Sequence, residues 1–122
     1  MGSEGTLGVI AEATLKLTAP PRDVVRVLCG LDDAESVLPL LTFCRDKLRD
    51  LSAFELMERL PFQEVIRHRN LRDPLSRPYQ VYTLIECEIS SPEASEHIAN
   101  TFGEAYEKNL IQDVVASESS AQ

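Results

Sequence analysis

Tryptophan is absent from this 122-residue chain, and histidine, cysteine and methionine are nearly so, with two, three and two copies. The cysteines, Cys29, Cys44 and Cys87, are odd in number and widely spaced. That pattern signals neither a disulfide framework nor a zinc knuckle and favours small buried hydrophobes. Neither His68 nor His97 has a second ligand type at i+2 to i+4, the spacing that presents two donors to one ion, so no metal site is expected. Basic residues are scarce too: 12 Lys and Arg against 20 Asp and Glu give a net charge of −8. Such a surface repels the phosphates that carry most nucleic-acid affinity, so no nucleic-acid partner is expected. No apolar run approaches the roughly 18 residues that span a bilayer, and the first residues lack the basic-then-apolar pattern of a secretion or transit signal.

What is present suits one domain, since 43% of the residues are apolar, enough for a core at this length. From Val9 to Leu17, apolar Val9, Ala11, Ala13, Leu15 and Leu17 alternate with Ile10, Glu12, Thr14 and Lys16. That is the period of a half-buried strand, and Pro20 and Pro21 end it because neither donates to a ladder. Val24 to Cys29 is a second, β-branched run closed by Gly30, after which Asp32 or Asp33 is suited to cap a helix over Ala34 to Lys47. Pro39 predicts either a kink or a later start to that helix. Leu51 to Met57 reads as a strand, Glu58 to His68 as a modest helix interrupted by Pro61, and Asn70 to Pro78 as an exposed loop.

"YQVYTLIECEIS" is the clearest strand, with Val81, Thr83, Ile85, Cys87 and Ile89 on one face and Tyr82, Leu84, Glu86 and Glu88 on the other. Ser91, Pro92 and Glu93 then make a strong helix start: a capping oxygen, a proline whose missing N–H costs nothing, and an acid at the positive end of the dipole. Ala94, Ile98, Phe102 or Thr101, Ala105 and Asn109 stripe that helix to about Leu110, and a strand from Asp113 to Ser117 follows. With the first strand and the small middle helix set aside, the order is β, α, β, β, α, β. This predicts an α+β fold: a ferredoxin-like antiparallel sheet with two main helices on one face, plus an extra N-terminal strand.

Candidate sites are few. Glycines at 2, 5 and 8 permit positive φ and a close approach to a bound group, and the neighbouring N–H groups with the Ser3 and Thr6 hydroxyls suit a phosphate or a sugar. A dinucleotide fingerprint would need a helix after the glycines, whereas a strand follows. Glu55 is a candidate for an active-site acid or simply a solvated one. Arg67, His68 and Arg69 form an anion site or a charged helix end, and Tyr82, Glu86 and Glu88 face either a partner or water.

"GSEGTLGVIAEATLKL" followed by "PPRD" resembles the junction between FAD domain and substrate (cap) domain in vanillyl-alcohol-oxidase-type flavoproteins, specifically the FAD-linked D-2-hydroxy-acid dehydrogenases. "LSAFELMERL" and "YTLIECEISSPEA" are similar to later segments of the same family. Ala11 stands where the family usually carries threonine. The resemblance implies a division into residues 1–18, the tail of an FAD-binding domain, and 19–122, part of an FAD-linked oxidase C-terminal domain. It implies FAD as the cofactor of the parent, bound there with a small 2-hydroxy acid such as D-lactate or D-2-hydroxyglutarate and not by this chain alone. Gly2, Ser3, Glu4, Gly5, Thr6, Gly8, Val9 and Ile10 are the cofactor contacts that it implies.

The family's pyrophosphate loop, its histidine-rich "GHxGDGNxH" motif and its late "EHG" pair have no counterpart here, so no catalytic residue is expected and the chain is expected to be a fragment, inactive by itself. Family resemblance implies a mitochondrial parent, with the cytoplasm the other compartment open to it. The alternative is a free-standing ferredoxin-like interaction module without catalysis, actin-interacting by the label some relatives carry. Self-association of the fragment fits either reading.

Overall fold

A computed structural model describes residues 2, 4–17, 20–21, 23–89 and 91–117. The first element of the sheet is β1 (Asp23–Leu31), where the β-branched run at Val24 is extended by one residue before and by Gly30 and Leu31 after. Helix α1 (Val37–Lys47) begins late, as Pro39 allows: the proline is the third helical residue, where its absent N–H removes no bond. Asp33 shapes the entry, its Oδ1 accepting from the Ser36 amide at 2.8 Å and the Ser36 hydroxyl at 2.6 Å. The same position saves α2 (Arg59–His68), in which Pro61 is again the third residue. The expected interruption at Pro61 does not occur, because a first-turn proline breaks nothing.

Between those helices lies β2 (Leu51–Glu58), and after α2 come β3 (Val81–Ile89), α3 (Pro92–Glu107) and β4 (Asp113–Ser117). The Ser91 hydroxyl accepts from the Ala94 amide at 3.4 Å at the start of α3, with Pro92 leading the helix. The sheet order is β2-β3-β1-β4, every neighbour pair antiparallel. This is the ferredoxin-like order, with α2 as an addition between the second and third strands. Val27 stands opposite Ile85, and Ile85 opposite Phe54, so one row crosses three strands on the helix face. There Leu40 and Cys44 of α1 and Ile98, Phe102 and Ala105 of α3 join Val27, Cys29, Ile85 and Cys87 in the main core.

The second face of the sheet is not simply solvated. At one end, Leu75, Tyr79 and Tyr82 form a smaller core with Leu28, Met57, Phe62 and Val115. Tyr82, expected on the polar row of β3, is fully buried at 0% exposure. The alternation is correct in register, but α2 and the loop after it fold over that end of the row. The loop is therefore exposed only in part, with Leu75 and Tyr79 turned inward.

The N-terminal strand of the sheet is β1. Residues 8–17 take no strand pairing, and their apolar side chains stand in solvent, Val9 at 91% and Leu17 at 86% exposure. Alternation of this kind encodes a strand, yet a strand needs a ladder, and neither sheet edge, β2 or β4, pairs with this segment.

Candidate functional site

The glycine-rich turn takes the backbone shape that its residues allow. Gly2 at φ 90° and Gly5 at φ 81° lie in the left-handed region, as does Glu4 at φ 49°. At Gly2 and Gly5 a side chain would be strained, which is the reason glycine stands there. A recess of about 650 Å³ opens here, lined by Gly2, Glu4, Gly5, Leu7, Gly8, Val9 and Ile10. Thr6 is exposed beside it. Ser3, the other hydroxyl of the expected contacts, lies outside the described residues.

The fit to a flavin dinucleotide is that of one wall. Around Gly2, Gly5 and Gly8, among the described residues and leaving aside each glycine's chain neighbours, nothing lies within 4 Å of where a Cβ would stand, so a pyrophosphate or ribose can come up against the main chain. The lining contains no cation and no aromatic ring, so neutralising the phosphates and stacking the ring must fall to other residues.

The remaining sequence candidates do not gather around this turn. Glu55 is exposed on β2, opposite Leu84. The Glu86 carboxylate accepts from the Arg26 guanidinium across the sheet at 2.7 Å, and Glu88 stands exposed farther along the same row. That face therefore carries three carboxylates, one of which already engages Arg26. Arg67 donates to Glu64 at 2.5 Å, one turn away on α2, and the pair holds the Glu64 carboxyl below its usual range. With His68 and Arg69 exposed beside it, this is a charged helix end and not an assembled anion site. Among the described residues no group of three His, Cys, Asp or Glu comes together to hold a metal ion, and no helix is long and apolar enough to cross a membrane.

The polar constellation that the structure does assemble was not foreseen. Asp113, at the start of β4, accepts through Oδ2 from the Ser76 amide and the Ser76 hydroxyl, both at 2.7 Å, and from the Tyr79 hydroxyl at 3.3 Å. Partial burial pushes its carboxyl up, but these bonds and the one from the Val114 amide outweigh it and leave the group below its usual value. Arg77 stacks 4.1 Å over the Tyr79 ring while donating to Asp32 at 2.8 Å. Together they tie the loop of residues 70–80 to one end of the β1–β4 pair, where β1 finishes and β4 begins. The one local signal was Gly30, which closes the β-branched run and falls within β1, where a glycine marks a close approach.

The three thiols are silent in the folded state. Cys29, Cys44 and Cys87 are at most 1% exposed, and burial pushes them up to about 12, about 12 and about 11. All three stay unreactive toward a thiol reagent at pH 8 until the chain unfolds, whereupon three equivalents react. Because unfolded thiols ionise near about 8.5, the unfolded state releases protons first above that pH. Stability is then complete below it and falls as pH rises toward 11–12, the range in which the native thiols ionise. Urea midpoints at pH 7 and pH 10, with thiol counts at each, check both statements.

Comparison with known proteins gives a consistent set of similarities. The pattern of the family described as "FAD linked oxidases, C-terminal domain" matches residues 20–122. A D-2-hydroxyglutarate dehydrogenase of Stutzerimonas stutzeri is 33% identical over 122 residues, 100% of this chain and 26% of its own length. The D-2-hydroxyglutarate dehydrogenase of Xanthomonas citri is 34% identical over 124 residues, again 100% of this chain and 25% of the relative. The mitochondrial D-2-hydroxyglutarate dehydrogenase of Rattus norvegicus is 32% identical over 116 residues, 93% of this chain and 21% of the relative. The chain thus spans about a quarter of the length of the relatives it matches.

Proposed function

Since the chain belongs to the family of FAD linked oxidases, C-terminal domain, we propose that it is part of an FAD-dependent oxidoreductase that oxidises a D-2-hydroxy acid of the D-2-hydroxyglutarate or D-lactate type. The observation that carries this reading is the reach of the similarity. The family pattern begins at residue 20, whereas the Stutzerimonas relative aligns over the whole chain, the glycine turn included. A boundary just before the Pro20–Pro21 pair, between residues 18 and 19, accounts for both. Residues 1–18 then belong with a cofactor-binding domain and residues 19–122 with a substrate domain.

Bound in the parent, FAD would supply the hydride acceptor for oxidation of the substrate carbon, chemistry that belongs to the cofactor. What this chain contributes is placement. The turn from Gly2 to Gly8 offers main chain at close range to the cofactor, and the ferredoxin-like sheet supplies a rigid wall beside it. The exposed carboxylates of Glu55 and Glu88, and the engagement of Arg26 by Glu86, make the open sheet face a poor receiver for a substrate carboxylate. This supports the reading that the substrate's counter-charge and the proton acceptor are held by residues beyond these 122. The mitochondrial address in the rat relative's name supports a mitochondrial setting for a eukaryotic parent.

Flavin titration tests the division of labour. FAD fluorescence is followed as it is titrated with this chain, and with a chain extended upstream by the preceding residues of the Stutzerimonas relative. Quenching by the extended protein alone is the expected result. Binding by the short chain alone overturns the assignment of cofactor binding to a separate domain, and no binding by either removes the flavin from the reading.

A further inference from the structure

β2 and β3 form a hairpin with a long connection: residues 59–80, comprising α2 and the loop after it, leave the ladder at Glu58 and rejoin it at Val81, its direct partner. The Arg59 amide donates to the Gln80 carbonyl at 3.1 Å, so the two ends of the connection meet beside the last rung. Movement about that base leaves the β2–β3 ladder whole.

The connection is held to the rest of the fold at few points. Between residues 59 and 80 only Leu75 and Tyr79 are buried, and they belong with Tyr82 to the smaller core, separate from the main one under α1 and α3. α2 has no buried residue and meets the sheet by stacking the half-buried Phe62 on Tyr82. The polar ties lie near the surface, with the Ser76 and Tyr79 hydroxyls on Asp113 and the Arg77 guanidinium on Asp32. Within itself the connection is better joined. The Leu71 amide donates to the Ile66 carbonyl at 2.9 Å and the Leu75 amide to Asp73 Oδ1 at 3.0 Å, which links helix to loop.

We propose that residues 59–80 are a flap that opens as one unit from the end of the sheet's second face while β1, β3, α1 and α3 stay folded. Closed, the flap keeps Tyr82 dry together with Leu28, Met57 and Val115; open, it bares that apolar, aromatic floor. A ten-residue helix is marginal in water by itself, so α2 loses its internal bonds once it is released. The opening is therefore visible in its amides, as a sub-global step below complete unfolding. Both hinges and every tie lie within residues 23–117, and the flavin reading does not enter.

Native-state hydrogen exchange of the whole chain in low, sub-denaturing urea tests the flap. The amides of Ile66, Leu71 and Tyr79 should share one opening, with a urea dependence well below that of the β1 and β3 amides. Ile98→Val trims the main core, which stays folded when the flap opens, so it should speed exchange in β1 and β3 about three- to tenfold and leave the flap amides unchanged. Ser76→Ala with Arg77→Ala, neither position buried, weakens the closed state itself and should speed the flap amides about tenfold. Flap amides that follow β1 and β3 in Ile98→Val open only with the whole molecule, which overturns the proposal. Flap amides indifferent to the double variant exchange by local fraying, which overturns it equally.

Discussion

Replacing Tyr82 by alanine lowers the unfolding free energy by about 3–5 kcal/mol, the loss typical of truncating a buried aromatic. Tyr82 is fully buried, stacks on Phe62 with ring centroids 4.0 Å apart, and meets the Tyr79 ring edge-on at 6.3 Å. Its hydroxyl also accepts from the Tyr79 amide at 2.9 Å. The alanine variant removes the ring between α2 and β3, so α2, which has no buried residue of its own, loses its main anchor. Tyr82→Phe separates the two contributions: the ring stays, a buried N–H loses its acceptor, and the cost is about 1–3 kcal/mol. Urea unfolding of the three proteins gives the comparison directly. In hydrogen exchange, the amides of α2 and of the loop 70–80 should lose protection in the alanine variant before those of β1 do.

Gly30→Ala is the second large effect, at about 2–3 kcal/mol of lost stability. Gly30 sits within β1 without a positive φ, so its absent side chain is needed for space and not for backbone conformation. A Cβ there would overlap Cδ2 of Tyr79 and stand 2.6 Å from its Cγ. The ring cannot swing aside cheaply, being held by its amide on Tyr82, its hydroxyl on Asp113 and the Arg77 guanidinium on its face. A double-mutant cycle isolates this overlap. In a Tyr79→Ala background the added methyl meets no ring, and alanine suits a strand slightly better than glycine does. There Gly30→Ala should be neutral or mildly stabilising. A substitution equally costly in both backgrounds would trace the effect to β1 itself rather than to the loop.

Much of the fold was legible because its signals are local. The edges of β3 and α3 follow from alternation over Val81 to Ile89 and from the Ser91–Pro92–Glu93 start, and β4 follows from its short β-branched run. Pro39 leaves open a kink or a late helix start, of which the structure shows the late start, and the interruption expected at Pro61 does not occur because position within the first turn decides the outcome. Of the candidate site, the glycines predicted the left-handed turn correctly at Gly2 and Gly5. Glu4 in the same region carries no glycine signature and was not foreseen as a turn-former.

Taken alone, the sequence determined the kind and order of elements, the ferredoxin-like class and the place of the glycine turn, since each depends on periodicity and caps read within a few residues. Three matters were decided by tertiary structure. The burial of Tyr82 depends on α2 and the 70–80 loop folding over one end of the second face. The meeting of Asp113 with Ser76 and Tyr79, 37 and 34 residues away, depends on that loop returning to β4. The unpaired state of residues 9–17 depends on whether a neighbouring edge is at hand. A row of alternating side chains specifies a strand, but only the polypeptide laid against it decides whether that strand is paired and which of its faces is dry.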